Sequence, residues 1–358
     1  MYGQTWLDLQ TTPPAVAWQM LRTLRANPPG NASKGDRKET FNAALEQAEQ
    51  LFGAAANVGP AARPLLVFYG LSQAGRAIAA AALAANNDQY RLGGHGIRTG
   101  EMQGLVASGL AALTIENQGR GAFTQIADIL DAASLPTTTP LGALWGLLPD
   151  NIRFPLPNAG AKRPVSIQLA PTTIRAHDVP VIVRGVPKAL VYSPAQPSTD
   201  PSVDVAGWAA ERQHVAEFLN EYPSLGDWEF SSPAGNPVGL QLENDSARVP
   251  LIWPNPGYAE TEQVIVGRHT VAYRGQQRLA FPTVGGSTKP AHPFLLWWSI
   301  LYALSMLARY EPKVWVNRIR INESNDATAI EYLLDQALIL LPELIHRTIH
   351  EAAGVTTQ

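Results

Sequence analysis

Arginines and histidines are the residues of this sequence best placed to do chemistry, and their spacing limits which chemistry that is. His95 stands between glycines in Gly93-Gly94-His95-Gly96, with Arg91 four positions earlier. An imidazole there could act as general base or acid while an arginine steadies a phosphate. A turn histidine whose ring nitrogen holds a backbone carbonyl fits the same residues. Arg76 falls on an otherwise apolar helix, where a buried guanidinium must be paired. Glu116, Glu331, Asp335 and the Tyr310 hydroxyl are its expected partners. Arg309 ends a second apolar helix. Two arginines converging there would bind a phosphate or nucleotide, although Arg309 could equally cap carbonyls at its own helix end. Lys313, Arg318 and Arg320, with Trp315 among them, make the best local basic-aromatic cluster and so the best candidate for a nucleic-acid contact.

Other motifs carry less. Gly70-Leu71-Ser72-Gln73-Ala74-Gly75 is one residue too long for a nucleophile elbow and lies inside a helix. Gly285-Gly286-Ser287-Thr288-Lys289 lacks the spacing of a phosphate loop. His346 and His350 share a helix face with Glu343 nearby, a pattern expected to belong to a solvated helix and not to a metal site. The absence of cysteine removes disulfides, thiolate metal sites and cysteine nucleophiles together. Neither a metal nor a cofactor is expected.

The elements that must hold these residues follow from periodicity. Residues 64–85 contain Leu65, Phe68, Leu71, Gly75, Ile78 and Ala82 on one helical stripe, and alanines elsewhere make the helix apolar on most sides. Phe294 to Ala308 is an apolar run of 15 residues, short of the ~20 that span a membrane. It therefore reads as a core helix, 294–310. Burying half a dozen large side chains on each helix is worth on the order of 10 kcal/mol per helix. The two are expected to pack on each other.

Further helices are expected over 13–27, 37–57, 123–133, 141–148, 203–219 and 326–351, with 313–320 as a brief continuation. In the 203–219 helix, Val205, Trp208, Val215, Phe218 and Leu219 are expected to face inward. Short strands are expected at 104–106 and 113–115. Between 151 and 290 the chain is punctuated by proline and reads as strands at 165–169, 179–183, 189–192, 228–242, 249–253, 264–266 and 270–281, with an exposed loop at 193–201. The fold class is therefore α+β. An N-terminal helical region (1–150) and C-terminal helices (291–358) would build a helical core, with a β-rich middle region (151–290) between them.

With 358 residues there is ample chain for a full core. Only 16% of residues are charged, against about 25% in typical soluble proteins, which leaves much surface to loops or to a partner. The net charge of −3 provides no global field to attract nucleic acid. No basic stretch followed by an apolar one opens the sequence, so a cytoplasmic protein without a membrane segment is expected.

The helical parts resemble the YaaC-like proteins of bacteria. The matching residues are Leu66-Val67-Phe68-Tyr69-Gly70-Leu71-Ser72-Gln73-Ala74-Gly75-Arg76-Ala77, then His95-Gly96-Ile97. Later come Tyr302 to Tyr310 (YALSMLARY), with Pro312 and Trp315. Tyr69 to Ala81 and His95 are also similar in outline to the HEPN helical domains. Catalytic members of that class are metal-independent ribonucleases with four to six residues between an arginine and a histidine on one helix. No arginine in this chain has a histidine at that spacing: Arg91 and His95 have three residues between them and Arg347 and His350 have two. The resemblances imply a non-catalytic binding or scaffold subunit of a bacterial complex, plausibly for antiphage defence, whose partner is another protein or a second copy. The alternatives are an HEPN-like ribonuclease or a nucleotide or anion sensor.

Overall fold

A computed structural model describes residues 11–102, 105–170, 178–192, 201–239, 241–243, 246–255, 260–275 and 277–355. Helix α1 (Pro14–Ala26) begins on a proline whose missing N–H has no partner to lose at that position. It is followed by α2 (Gly35–Ala56) and by α3 (Arg63–Ala81), again with proline in the first turn. Strand β1 (Ile97–Thr99), the short helix α4 (Leu105–Ser108), β2 (Thr114–Asn117), α5 (Ala122–Ile129), β3 (Thr139–Pro140) and α6 (Leu141–Leu147) come next. The three strands form one small antiparallel sheet, with Ile97 opposite Asn117 and Ile115 opposite Thr139.

The middle of the chain supplies β4 (Val165–Leu169), β5 (Asp178–Pro187), α7 (Pro201–Leu219), β6 (Glu229–Phe230), β7 (Gln241–Glu243), β8 (Ser246–Pro254), α8 (Glu262–His269), β9 (Val271–Tyr273) and β10 (Gln277–Ala280). These strands form an antiparallel sheet in the order β6-β8-β5-β4-β10-β9, with β7 also paired to β8. Alternation decides its buried face. Val179, Val181 and Val183 of β5 and Val249, Leu251 and Trp253 of β8 are buried with Val215 and Leu219 of α7. The β5–β8 register shifts between Arg184 and Val186, where Gly185 adopts φ +96°. The chain then closes with α9 (Pro293–Tyr310), α10 (Pro312–Ile319) and α11 (Ala327–Ala352).

Two compact units result. One combines Gln10–Lys162 with Val284–Gln358, and the other is Arg163–Thr283. The protein is thus an α+β chain in which N- and C-terminal helices share one core and the β-rich middle has its own. Within the first unit α3 packs on α9, as their composition requires. The Phe68 ring meets Trp298 at 6.3 Å and Tyr302 at 5.4 Å between centroids. Gly75 is what lets the helices approach, because a Cβ at that position would strike the buried Trp298 ring.

Several local expectations fail for identifiable reasons. Val264 to Val266 is helical, not a strand: Thr261 caps α8 by accepting from the Val264 N–H, and Arg268 and His269 suit its C-terminal end. Leu105 and Val106 belong to α4, and Leu105 is buried with its carbonyl held by Arg318. Gly104 and residues 193–200 of the expected loop lie outside the described residues, and Pro201 already begins α7. Lys188–Leu190 forms a 3-10 turn after Pro187 where a strand was expected. The expected strand 228–242 contains two short ones, separated by a stretch with Pro233, Gly235 and Pro237 that cannot sustain a ladder. Val205 is 47% exposed, because the burial on α7 lies at Val215 and Leu219. Helix α3 ends at Ala81, before the apolar run does. There Asn31 donates to the Ala82 carbonyl and Arg37 donates to the carbonyls of Ala80, Ala85 and Asn87.

Candidate functional site

The α3–α9 pair assembles a cluster of aromatic and cationic side chains at one end. Tyr69 lies on α3 beside Phe68, which is fully buried in the helix interface. On α9, Tyr302 is buried against Phe68, while Arg309 and Tyr310 fall in the last turn and are exposed. That turn is fixed in space. Pro312 cannot continue α9, and the buried Trp315 of α10 donates its indole N–H to the Ala61 carbonyl just before α3. The Arg309 Nη1 atom donates to the Tyr69 hydroxyl at 3.1 Å, and its guanidinium sits 5.1 Å from the Tyr310 ring centre.

His95 reaches the same cluster from a loop. Its ring lies 6.0 Å from Phe68 and 5.7 Å from Tyr302, and the side chain is exposed. The loop holds its shape through glycine. Gly94 and Gly96 have φ +60° and +69°, and the Gly96 backbone lies so close to Gly121 that a Cβ on either would clash. The first N–H groups of α5 secure it, with Ala122 donating to Gly94 and Phe123 to the His95 carbonyl at 2.9 Å. Arg76 completes the fixing by donating to the Leu92 carbonyl at 2.7 Å.

Arg76 thus holds the loop that carries His95. Of its expected carboxylate partners, Glu116 is committed to Arg98 and Thr138 and Asp335 to Arg63, while Glu331 is exposed on α11. The two arginines do not form one clamp: Arg309 meets Tyr69, seven residues before Arg76, which is about 10 Å along the helix axis. Arg91 is held by Asp36 and Asp88 and stacks near Tyr90. The basic cluster also separates. Arg318 is largely buried in an ion pair with Asp326 at 2.8 Å, whereas Arg320 pairs with Glu323 at the surface and Lys313 is exposed. Ser72 lies within α3. In the glycine-rich segment before α9, Gly285 accepts from the Thr137 N–H and Lys289 pairs with Asp131.

Chemically, the cluster offers a cation whose hydrogen-bond partner is a phenol hydroxyl. Among the described residues no carboxylate pairs with Arg309, and the residue is exposed. Burial, with Tyr310 nearby, raises the Tyr302 pKa above its ordinary value. Among the described residues no group of three His, Cys, Asp or Glu side chains could hold a metal. Periodicity alone exposes Tyr69 and Tyr302 only as packing residues. Their meeting with His95 and Arg309 depends on the α3–α9 docking and leaves no local signature.

Fold and site together define an α+β protein whose aromatic and cationic cluster is built on a buried helix pair. The model of the YaaC-like Protein family matches residues 10–349. The chain belongs to the YaaC-like family. No curated protein and no solved structure matches it. None of its described helices is long and apolar enough to cross a membrane.

Proposed function

We propose that this YaaC-like protein acts by binding, and that its ligand is an anion attached to a flat aromatic group, as in a nucleotide. Arg309 carries the reading: an exposed guanidinium, oriented by Tyr69 and free of any described carboxylate, beside the exposed Tyr310 ring, with His95 exposed farther along the same helix pair against Phe68 and Tyr302. A guanidinium can grip a phosphate with two parallel hydrogen bonds, while aromatic faces take a base by stacking, as in sequence-tolerant nucleic-acid contacts. In this reading His95 is a contact residue and Arg76 positions it through Leu92.

The reading extends to a cytoplasmic subunit of a bacterial complex, with another protein or a second copy as partner and antiphage defence as the setting. The HEPN-like outline of α3 and the His95 turn supports that extension. The test is thermal denaturation with inorganic phosphate, nucleoside mono- and triphosphates and a short RNA, on the wild type and Arg309→Ala. The expected result is a rise in melting temperature with a base-bearing phosphate that Arg309→Ala abolishes. Unchanged melting across the panel would refute it.

A further inference from the structure

We propose that His346 and His350 bind a divalent metal ion of zinc's class through their two Nε2 atoms. The pair lies on α11, four residues apart and therefore on one face. Their Nε2 atoms stand 3.3 Å from each other and the ring centres 4.5 Å apart. A tetrahedral ion with Zn–N bonds of about 2.0–2.1 Å separates two of its nitrogen ligands by about 3.3–3.4 Å. The observed separation already has that value, and a bound ion would take the place of the hydrogen bond the two Nε2 atoms now share.

The surroundings suit a cation. Arg347, the cation in the same turn, is drawn away onto Glu343 by bonds of 3.0 and 2.7 Å from Nε and Nη2. Glu351 faces His292 at 3.2 Å. With no third protein donor among the described residues, the remaining coordination positions fall to water or to an anion. Such a site is open and exchangeable, unlike a closed structural zinc site. It is also independent of the nucleotide reading.

The test is calorimetric titration of the full chain with zinc chloride, on the wild type, His346→Gln, His350→Gln and the exposed control His214→Gln. One ion per chain is expected for the wild type and for His214→Gln, and none for the other two. A second measurement does not depend on the variants folding: long-range proton–nitrogen NMR of the wild type should show two histidine Nε2 resonances moving together as zinc is added. Absence of binding at millimolar zinc, unchanged stoichiometry in both variants, or unmoved Nε2 signals would each overturn the proposal.

Discussion

Replacing Gly75 by alanine tests whether α3 and α9 approach as closely as the site requires. In an ordinary helix interior the change adds stability, about 0.5–1 kcal/mol, because glycine loses more backbone entropy on folding. At Gly75 the new methyl would meet the Trp298 ring, with Cη2 only 2.8 Å away. Trp298 is 1% exposed and is packed against Phe68 and Phe294, so the ring has little room to withdraw. Overpacking of this kind costs about 1–3 kcal/mol. The net expectation is a loss of up to about 2.5 kcal/mol, with the entropy gain offsetting part of the clash. Gly53 on α2 is the matched control, since nothing lies within 4 Å of a Cβ there. Gly53→Ala should stabilise the protein. Urea unfolding of the two variants should therefore differ by about 1–3 kcal/mol, the clash term alone. If both gain stability equally, the helices do not approach in this way, and the placement of Tyr69, His95 and Arg309 fails with it.

Other expectations concern buried charge. Breaking the Arg318–Asp326 pair with Arg318→Ala should cost about 3–5 kcal/mol by leaving a buried carboxylate unpaired; a loss below 1 kcal/mol, read by denaturation, would return Arg318 to the surface cluster. Glu211 is buried on α7 and accepts from the Val238 and Gly239 N–H groups at 3.1 and 2.8 Å, so Glu211→Ala should destabilise its unit by about 1–3 kcal/mol while Glu211→Gln keeps an acceptor. Burial raises the Glu211 pKa, so its folded form holds a proton longer than the unfolded chain. Stability should fall as pH rises from the ordinary carboxylate range through the raised value, and Glu211→Gln should remove that slope. His346 has the opposite sign: burial first, then His350 and Arg347, lower its pKa to about 4 against the opposing pull of Glu343. The unfolded chain binds the extra proton between about 6.5 and about 4, so stability should drop by at most about 1.4 kcal/mol per unit as pH falls through that window. In His346→Gln that drop should shrink.

What could be read in the sequence divides along the reach of each interaction. Helices α3 and α9 are legible because their apolar stripes leave no alternative to burial, and the family motifs fall on the residues that make them pack. The strands 165–169 and 249–253 are legible from alternation in the same way. Val264 to Val266 misleads because β-branched residues carry strand propensity, while the decisive contact is a cap three residues earlier. The end of α3 depends on Arg37 and Asn31, some 50 residues away in sequence. The site mixes both cases. His95 stands out by its glycines and Arg309 by its position at a helix end, yet the Tyr69 hydroxyl that orients Arg309 is 240 residues distant. Arg76 shows the limit of pairing arguments, since a backbone carbonyl can accept from a guanidinium where a carboxylate was expected.

Calorimetric titration with a nucleoside triphosphate, comparing wild type with Arg309→Ala, goes to the centre of the account. Charge-assisted hydrogen bonds of about 1.5–3 kcal/mol predict affinity reduced roughly ten- to hundredfold in the variant, with stability little changed because the side chain is exposed. Equal affinity in both proteins, or no heat of binding in either, would contradict a ligand site at Tyr69, His95 and Arg309.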